Sequence, residues 1–115
     1  VDKILAAVDD LFFAAKIRGA ARLAGKSVQI IKSRAELEAQ IGSASLVIID
    51  LDAAQLEPLE LVRLAKSLRP IPIVGFLSHV EVELRRQAEQ LGCEQVLPRS
   101  AFSQKLPQIL KLAQQ

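Results

Sequence analysis

The chain holds one cysteine, one histidine and four aromatic residues, all phenylalanine, in 115 positions. Cys93 alone allows neither an internal disulfide nor a cysteine-based zinc cluster, and His79 cannot by itself build a conventional transition-metal site. That cysteine usage suits a reducing compartment, so a cytoplasmic protein is expected. Long apolar runs are also missing. Leu46–Ile49 and Ile71–Leu77, the second interrupted by Pro72, fall far short of the roughly 20 residues that cross a bilayer, and no membrane partner is expected. The opening Val1-Asp2-Lys3-Ile4-Leu5 has no basic start or long apolar stretch, so no secretory leader is expected. The five glycines are scattered at 19, 25, 42, 75 and 92 and form no phosphate-cradling loop. Neither sign of charge dominates: fifteen basic against thirteen acidic residues leave +2. Lys16, Arg18, Arg22 and Lys26 do cluster. Without interleaved aromatics they read as the solvated face of a helix rather than a nucleic-acid site.

What is present is core material. Half the residues are hydrophobic and the mean hydropathy is +0.26, enough for one domain over residues 1–115. Short apolar runs alternate with helical periodicity throughout. Ile4–Val8 reads as a buried strand stopped by Asp9-Asp10. Leu11–Ala24 carries Phe13, Ile17, Ala20, Ala21 and Ala24 on one helical stripe, with Gly25 as its stop. Val28–Ile31 is a second strand, and Ser33 with Glu36 has capping-box spacing for a helix that buries Leu37 and Ile41. Leu46–Ile49, rich in β-branched residues, reads as a strand buried on both faces and ending at Asp50. Pro58 opens a helix burying Leu61, Leu64, Ala65 and Leu68. A fourth strand over Ile71–Leu77 has Pro72 near its start, where no ladder N–H is needed. Val80–Leu91 is a helix burying Leu84, Ala88 and Leu91, Glu94–Leu97 is a short fifth strand, and a last helix spans Gln104–Ala113 with an irregular first turn at Pro107. Five strands each followed by a helix imply a single five-stranded parallel sheet with right-handed crossovers, a flavodoxin-like α/β fold of strand order 2-1-3-4-5.

In such a sheet chemistry gathers at the carboxyl ends of the strands. Asp9 and Asp10 follow the first strand, Asp50 the third, Ser78 and His79 the fourth, and Pro98, Arg99 and Ser100 the fifth. Neighbouring first and third strands bring three carboxylates into one crevice. Such a cluster needs a cation, and Mg²⁺ suits one or two carboxylates plus a phosphate oxygen. Asp50 could then accept a phosphoryl group, with Ser78 and Arg99 as donors to it. Singly, each of these residues reads first as a helix cap or a solvated group, as Asp10 does at Leu11; their joint placement on alternate strand ends is what favours the functional reading.

Val8-Asp9-Asp10 and Leu46-Val47-Ile48-Ile49-Asp50 resemble the receiver domain of two-component response regulators, and the resemblance spans about Lys3 to Leu112. It implies that Asp10 binds Mg²⁺ directly and Asp9 through water, that Asp50 is the phosphoacceptor, and that Asp52 lends its backbone carbonyl to the metal. It likewise implies that Ser78 is the switch hydroxyl and that Arg99 stands in the place of a lysine. The phosphodonor would be a histidine kinase or phosphotransfer protein, and the chain would signal by contact with a downstream protein rather than act as an enzyme. The helix-four, strand-five, helix-five face, made partly basic by Arg85 and Arg86, would also serve a homodimer.

The departures are specific. Arg99 puts a planar fork where a compact ammonium is usual. Ser100 follows it in place of proline, Ala53-Ala54 and Glu57-Pro58 replace Met-Pro and Asp-Gly, and Val96 replaces an aromatic. His79 stands where a small residue controls access to the pocket. Two functions are therefore expected to compete: a working phosphoacceptor module, and a pseudo-receiver in which Arg99 holds Asp50 in a lasting ion pair and the domain serves only protein contact. A flavodoxin-like flavin site fits poorly, since Asp9-Asp10 would repel the phosphate.

Overall fold

A computed structural model describes residues 3–78 and 81–113. Its strands are β1 (Lys3–Ala7), β2 (Ser27–Ile31), β3 (Ala44–Asp50), β4 (Ile73–Leu77) and β5 (Gln95–Pro98). The helices are α1 (Leu11–Leu23), α2 (Arg34–Gln40), α3 (Pro58–Leu68), α4 (Val82–Leu91), α5 (Arg99–Gln104) and α6 (Leu106–Leu110), with short 3₁₀ turns at Ile41–Ser43 and Ala54–Leu56. All strand pairs are parallel, and the sheet order is β2-β1-β3-β4-β5, as the alternation of elements requires.

Strict alternation along the central strands divides the core between two faces. Ile4, Ala6, Val8, Leu46, Ile48, Val74 and Phe76 pack against α1, α5 and α6. Leu5, Ala7, Val47, Ile49, Ile73 and Leu77 pack against α2, α3 and α4. All seven residues of β3 are buried, so a continuous apolar run, rather than an alternating one, marks the strand covered on both sides. Each fully buried Leu or Ile contributes roughly 1.5–3 kcal/mol to this core. Asp50, an even-numbered position, therefore falls on the α1–α5 face, paired in register with Phe76.

Several boundaries moved for local reasons. β4 starts at Ile73: Pro72 offers its carbonyl to the Val47 N–H but has no N–H of its own to extend the ladder. The single last helix expected over Gln104–Ala113 is two short helices broken at Lys105, because Pro107 lacks an N–H and its ring crowds the preceding turn. Helix formation begins earlier, at Arg99, with no loop between β5 and α5. Leu68 is 46% exposed rather than buried, while Val62 takes the inward position. Ala24 is the exposed C-cap of α1 rather than part of its stripe, and on α4 only Ala88 is fully buried, with Leu84 and Leu91 half-buried. The Ser33 cap accepts from the Glu36 N–H at 3.1 Å, but Glu36 reaches back one residue further than a capping box requires, to the Lys32 N–H at 2.7 Å. Val80 and His79 lie outside the described residues. Cys93 is buried, and burial pushes its thiol up to about 12, so it behaves as a small apolar group.

The turn between β3 and α3 solves a problem without glycine. Glu57 takes φ 53° and ψ 62°, the left-handed region, immediately ahead of Pro58. Its N–H reaches Ala54 and its carbonyl starts α3 by accepting from Leu61. Left-handed backbone costs a residue with a Cβ about 1–2 kcal/mol, partly offset by the entropy a glycine would lose on folding. Glu57→Gly is therefore expected to stabilise the domain by about 0.5–1 kcal/mol, read as a rise in thermal midpoint. A lower midpoint would mean that the Glu57 side chain contributes more than its backbone costs.

Candidate functional site

The pocket forms where β1, β3, β4 and β5 end. Asp10 begins it: its backbone is extended, and its side chain caps α1 by accepting from the N–H groups of Phe12 at 2.8 Å and Phe13 at 3.2 Å. Asp50 closes β3 and is 3% exposed. One of its oxygens accepts from the Asp52 N–H at 2.9 Å. The Asp52 side chain turns inward to accept from the Ser78 N–H, whereas its carbonyl oxygen accepts from Ala54.

Arg99 joins these groups. Its guanidinium lies 3.5 Å from Asp10, 3.4 Å from Asp50 and 3.9 Å from Asp52. Beneath it are two rings, with the guanidinium carbon 4.7 Å from the Phe13 centroid and 5.1 Å from that of Phe76. Phe102 stacks under Phe76, centroids 4.6 Å apart. The guanidinium is thus held from below by aromatic faces and from the sides by carboxylates, a setting that suits its flat, weakly hydrated cation better than an ammonium.

Burial dominates the electrostatics of Asp50. Desolvation raises its pKa above the ordinary 3.8, against the lowering effects of the Asp52 N–H and the Arg99 charge, while the Asp52 carboxylate raises it further. The cation offsets only part of the cost of ionising this group.

Sequence reasoning placed Asp10, Asp50, Ser78 and Arg99 around one pocket, and they are there. Asp9 is the exception. It is exposed and accepts from the Gln55 side chain, away from the guanidinium. Asp52 contributes its carboxylate rather than the expected carbonyl, and Ser78 engages through its backbone while the residue is exposed. His79 lies outside the described residues. Gln55, Phe13 and Phe76 were not foreseen as parts of the site. The aromatic pair could have been suspected, since three of the four phenylalanines fall at or beside strand ends on one sheet face.

A divalent cation does not fit the donors as they stand. Asp9 is committed to Gln55, Asp10 to its helix cap and Arg99, Asp50 to the Asp52 N–H and Arg99, and the Asp52 carbonyl to Ala54. Among the described residues no group of three or more His, Cys, Asp or Glu side chains is arranged to hold a metal ion. The pocket already contains a cation, and it is covalently part of the chain.

Comparison with known proteins supplies the fold's relatives. No family model matches the sequence, and no curated protein sequence matches it. Solved structures do match. A response regulator receiver domain protein from Clostridium thermocellum superposes with TM-score 0.83 at 20% identity, over 98% of this chain and 94% of that one. A CheY-like receiver domain protein from Methanospirillum hungatei gives TM-score 0.78 at 19% identity, over 96% and 94%. A response regulator from Burkholderia pseudomallei, with a phosphorylated aspartic acid and a calcium ion, gives 0.81 at 19%, over 94% of this chain and 65% of that one. This chain has the receiver-domain fold.

The two halves of the Arg99–Asp50 pair should respond unequally to mutation. Arg99→Met leaves a buried carboxylate without its cation and is expected to cost about 2 kcal/mol, less than the roughly 3–5 kcal/mol of a fully buried broken pair because the guanidinium is partly exposed. Asp50→Asn removes an ionisation that folding disfavours. A carboxylate with a raised folded pKa contributes its stability at low pH and loses it as pH rises through the ordinary value toward the folded one. The variant and the parent should therefore melt alike at acid pH, and the variant should melt higher near neutrality. Thermal scans across pH check this, and an Asn variant less stable than the parent at neutral pH would show that the ion pair outweighs desolvation.

Proposed function

From the receiver fold and this pocket, we propose that the chain, taken as one module over residues 1–115, is a pseudo-receiver: a signalling domain that acts by protein contact, independently of phosphorylation. The observation that carries this reading is the position of Arg99. Its guanidinium occupies the space between Asp10, Asp50 and Asp52, so the acids face an internal cation and the surrounding loops are tied together in one arrangement. The Asp50 carboxylate, where a phosphoryl group would attach, is buried and faces that cation.

The output of such a module is a surface. The face of α4, β5 and α5 presents Val82 at 71% exposure. The charges on α4 are balanced within the helix, Arg85 with Glu89 and Arg86 with Glu83. That face is therefore less basic than Arg85 and Arg86 alone suggest, and it suits an apolar contact with a downstream protein or a second copy of the chain. Among the described residues no helix is long and apolar enough to cross a membrane.

A second reading has its own support in the charge balance. Three carboxylates surround one guanidinium, which leaves the pocket net negative, and the related Burkholderia protein carries both a phosphorylated aspartate and a divalent ion. In that reading Asp50 accepts a phosphoryl group from a histidine kinase or phosphotransfer protein. Asp9, Asp10, Asp50 and the Asp52 carbonyl would hold Mg²⁺, and Ser78 and Arg99 would bind the phosphate. It requires Arg99 to withdraw and Asp9 to turn inward.

The intact mass of the protein after incubation with Mg²⁺ and acetyl phosphate, beside Asp50→Asn, separates the two. No adduct on either protein is the expected result, together with backbone amide resonances at Asp9, Asp10 and Asp50 that Mg²⁺ leaves unmoved. One phosphoryl adduct on the parent alone, labile to hydroxylamine, would establish the second reading and end the first.

A further inference from the structure

The charge of this chain is segregated in a way its small net value conceals. Residues 11–35 and 95–115 carry nine of the fifteen basic residues and none of the thirteen acidic ones. The first stretch supplies α1 and the second supplies α5 and α6, and these helices share one face of the sheet. The helices of the opposite face hold surface ion pairs, Arg63 with Glu60 on α3 and the two pairs of α4. On the α1–α6 side, Arg22, Lys105 and Lys111 meet no carboxylate among the described residues.

An apolar groove runs through that basic face. Its volume is about 450 Å³, and Ala20, Leu23, Ala24, Lys26, Pro107 and Lys111 line it. Leu23 is 92% exposed, the largest exposure among the big apolar side chains described. One wall is the end of α1 and the other is α6, so the groove follows two helices and can seat a third between their ridges. Pro107, in the first turn of α6, keeps that wall separate from α5, which ends at Gln104.

We propose that this groove is a docking site for an acidic amphipathic helix of a partner protein. Its apolar side would cover Leu23 and the Ala20–Ala24 floor, and its carboxylates would face Lys111 and the cations beside it, Arg22 and Lys105. Charge complementarity selects this occupant. A basic rim steers and orients an acidic partner, while an apolar floor supplies the area removed from water. Nucleic acid would want aromatic faces for stacking, and the groove has none. The site lies outside the Asp50 pocket, so it holds whether or not Asp50 is phosphorylated.

The probe is a fluorescein-labelled peptide of about 18 residues, long enough to hold helical structure, with leucine at helical spacing on one side and glutamate elsewhere. Its control is the same peptide with lysine for every glutamate. Anisotropy should show binding of the glutamate peptide only, weakened by salt and weakened about tenfold or more by Leu23→Ser and by Lys111→Glu. Both positions are at the surface, so the variants should fold, and unchanged thermal midpoints verify it. Asp50→Asn should leave binding intact, which keeps this result separate from the pocket's chemistry. The proposal is overturned if the glutamate peptide fails to bind or if neither substitution weakens it. It is also overturned if a single-stranded oligonucleotide or phosphatidylglycerol vesicles displace the peptide and lose affinity with the same substitutions.

Discussion

The constraint on which the pocket depends is the placement of one guanidinium between aromatic rings and carboxylates. Arg99 rests on Phe13 and Phe76 and spans Asp10, Asp50 and Asp52. These contacts reach α1, β3, the turn after it, and β4. A compact ammonium could neutralise one carboxylate at a time, but it could not lie flat on two rings while forking toward three acids. Arginine at this position therefore alters what the pocket is. It links four elements of the fold, and its removal exposes a carboxylate that burial already disfavours.

Phe76 shows how the core supports this arrangement. It faces the α1–α5 side of the sheet as the register partner of Asp50, and it clusters with Phe13 at 4.7 Å and Phe102 at 4.6 Å. The rings are fully or nearly fully buried, so the platform under Arg99 is a continuation of the hydrophobic core rather than a surface feature. A core in which side chains sit close-packed transmits displacement instead of absorbing it. The acid pocket is in this sense the polar end of the aromatic cluster.

The fold was legible because its signals are local and repeated. An apolar run rich in β-branched residues at Leu46–Ile49, helical stripes ending at glycines, and aspartates at strand ends each report a short stretch of chain, and their alternation forces a parallel sheet. The positions of Asp10, Asp50 and Arg99 followed from that topology alone. What could not be read was set by tertiary contact. Nothing in the local sequence says that Asp52 turns its carboxylate inward to the Ser78 N–H, or that Asp9 turns outward to Gln55. The left-handed backbone at Glu57 is hidden for a related reason: the rule that such positions go to glycine yields where a helix start and a proline fix the path. The break at Lys105 is hidden too, because a proline near a helix start is compatible with one irregular helix as well as with two short ones.

Arg99 is the first residue of α5 and follows β5 directly, with Pro98 as the cap. No loop lies between the sheet and the residue that holds the acids, so the guanidinium cannot leave the pocket by loop movement. Side-chain rotation is its only independent motion, and that rotation would strip it from two rings and three carboxylates together. Phe102, one turn along the same short helix, is fully buried and pins α5 to the core from the same side. The Lys105 break then separates this pinned turn from α6, whose far end borders the basic groove with α1. The acid pocket and the groove thus share α1, and the break at Lys105 divides the helix beside the pocket from the helix beside the groove.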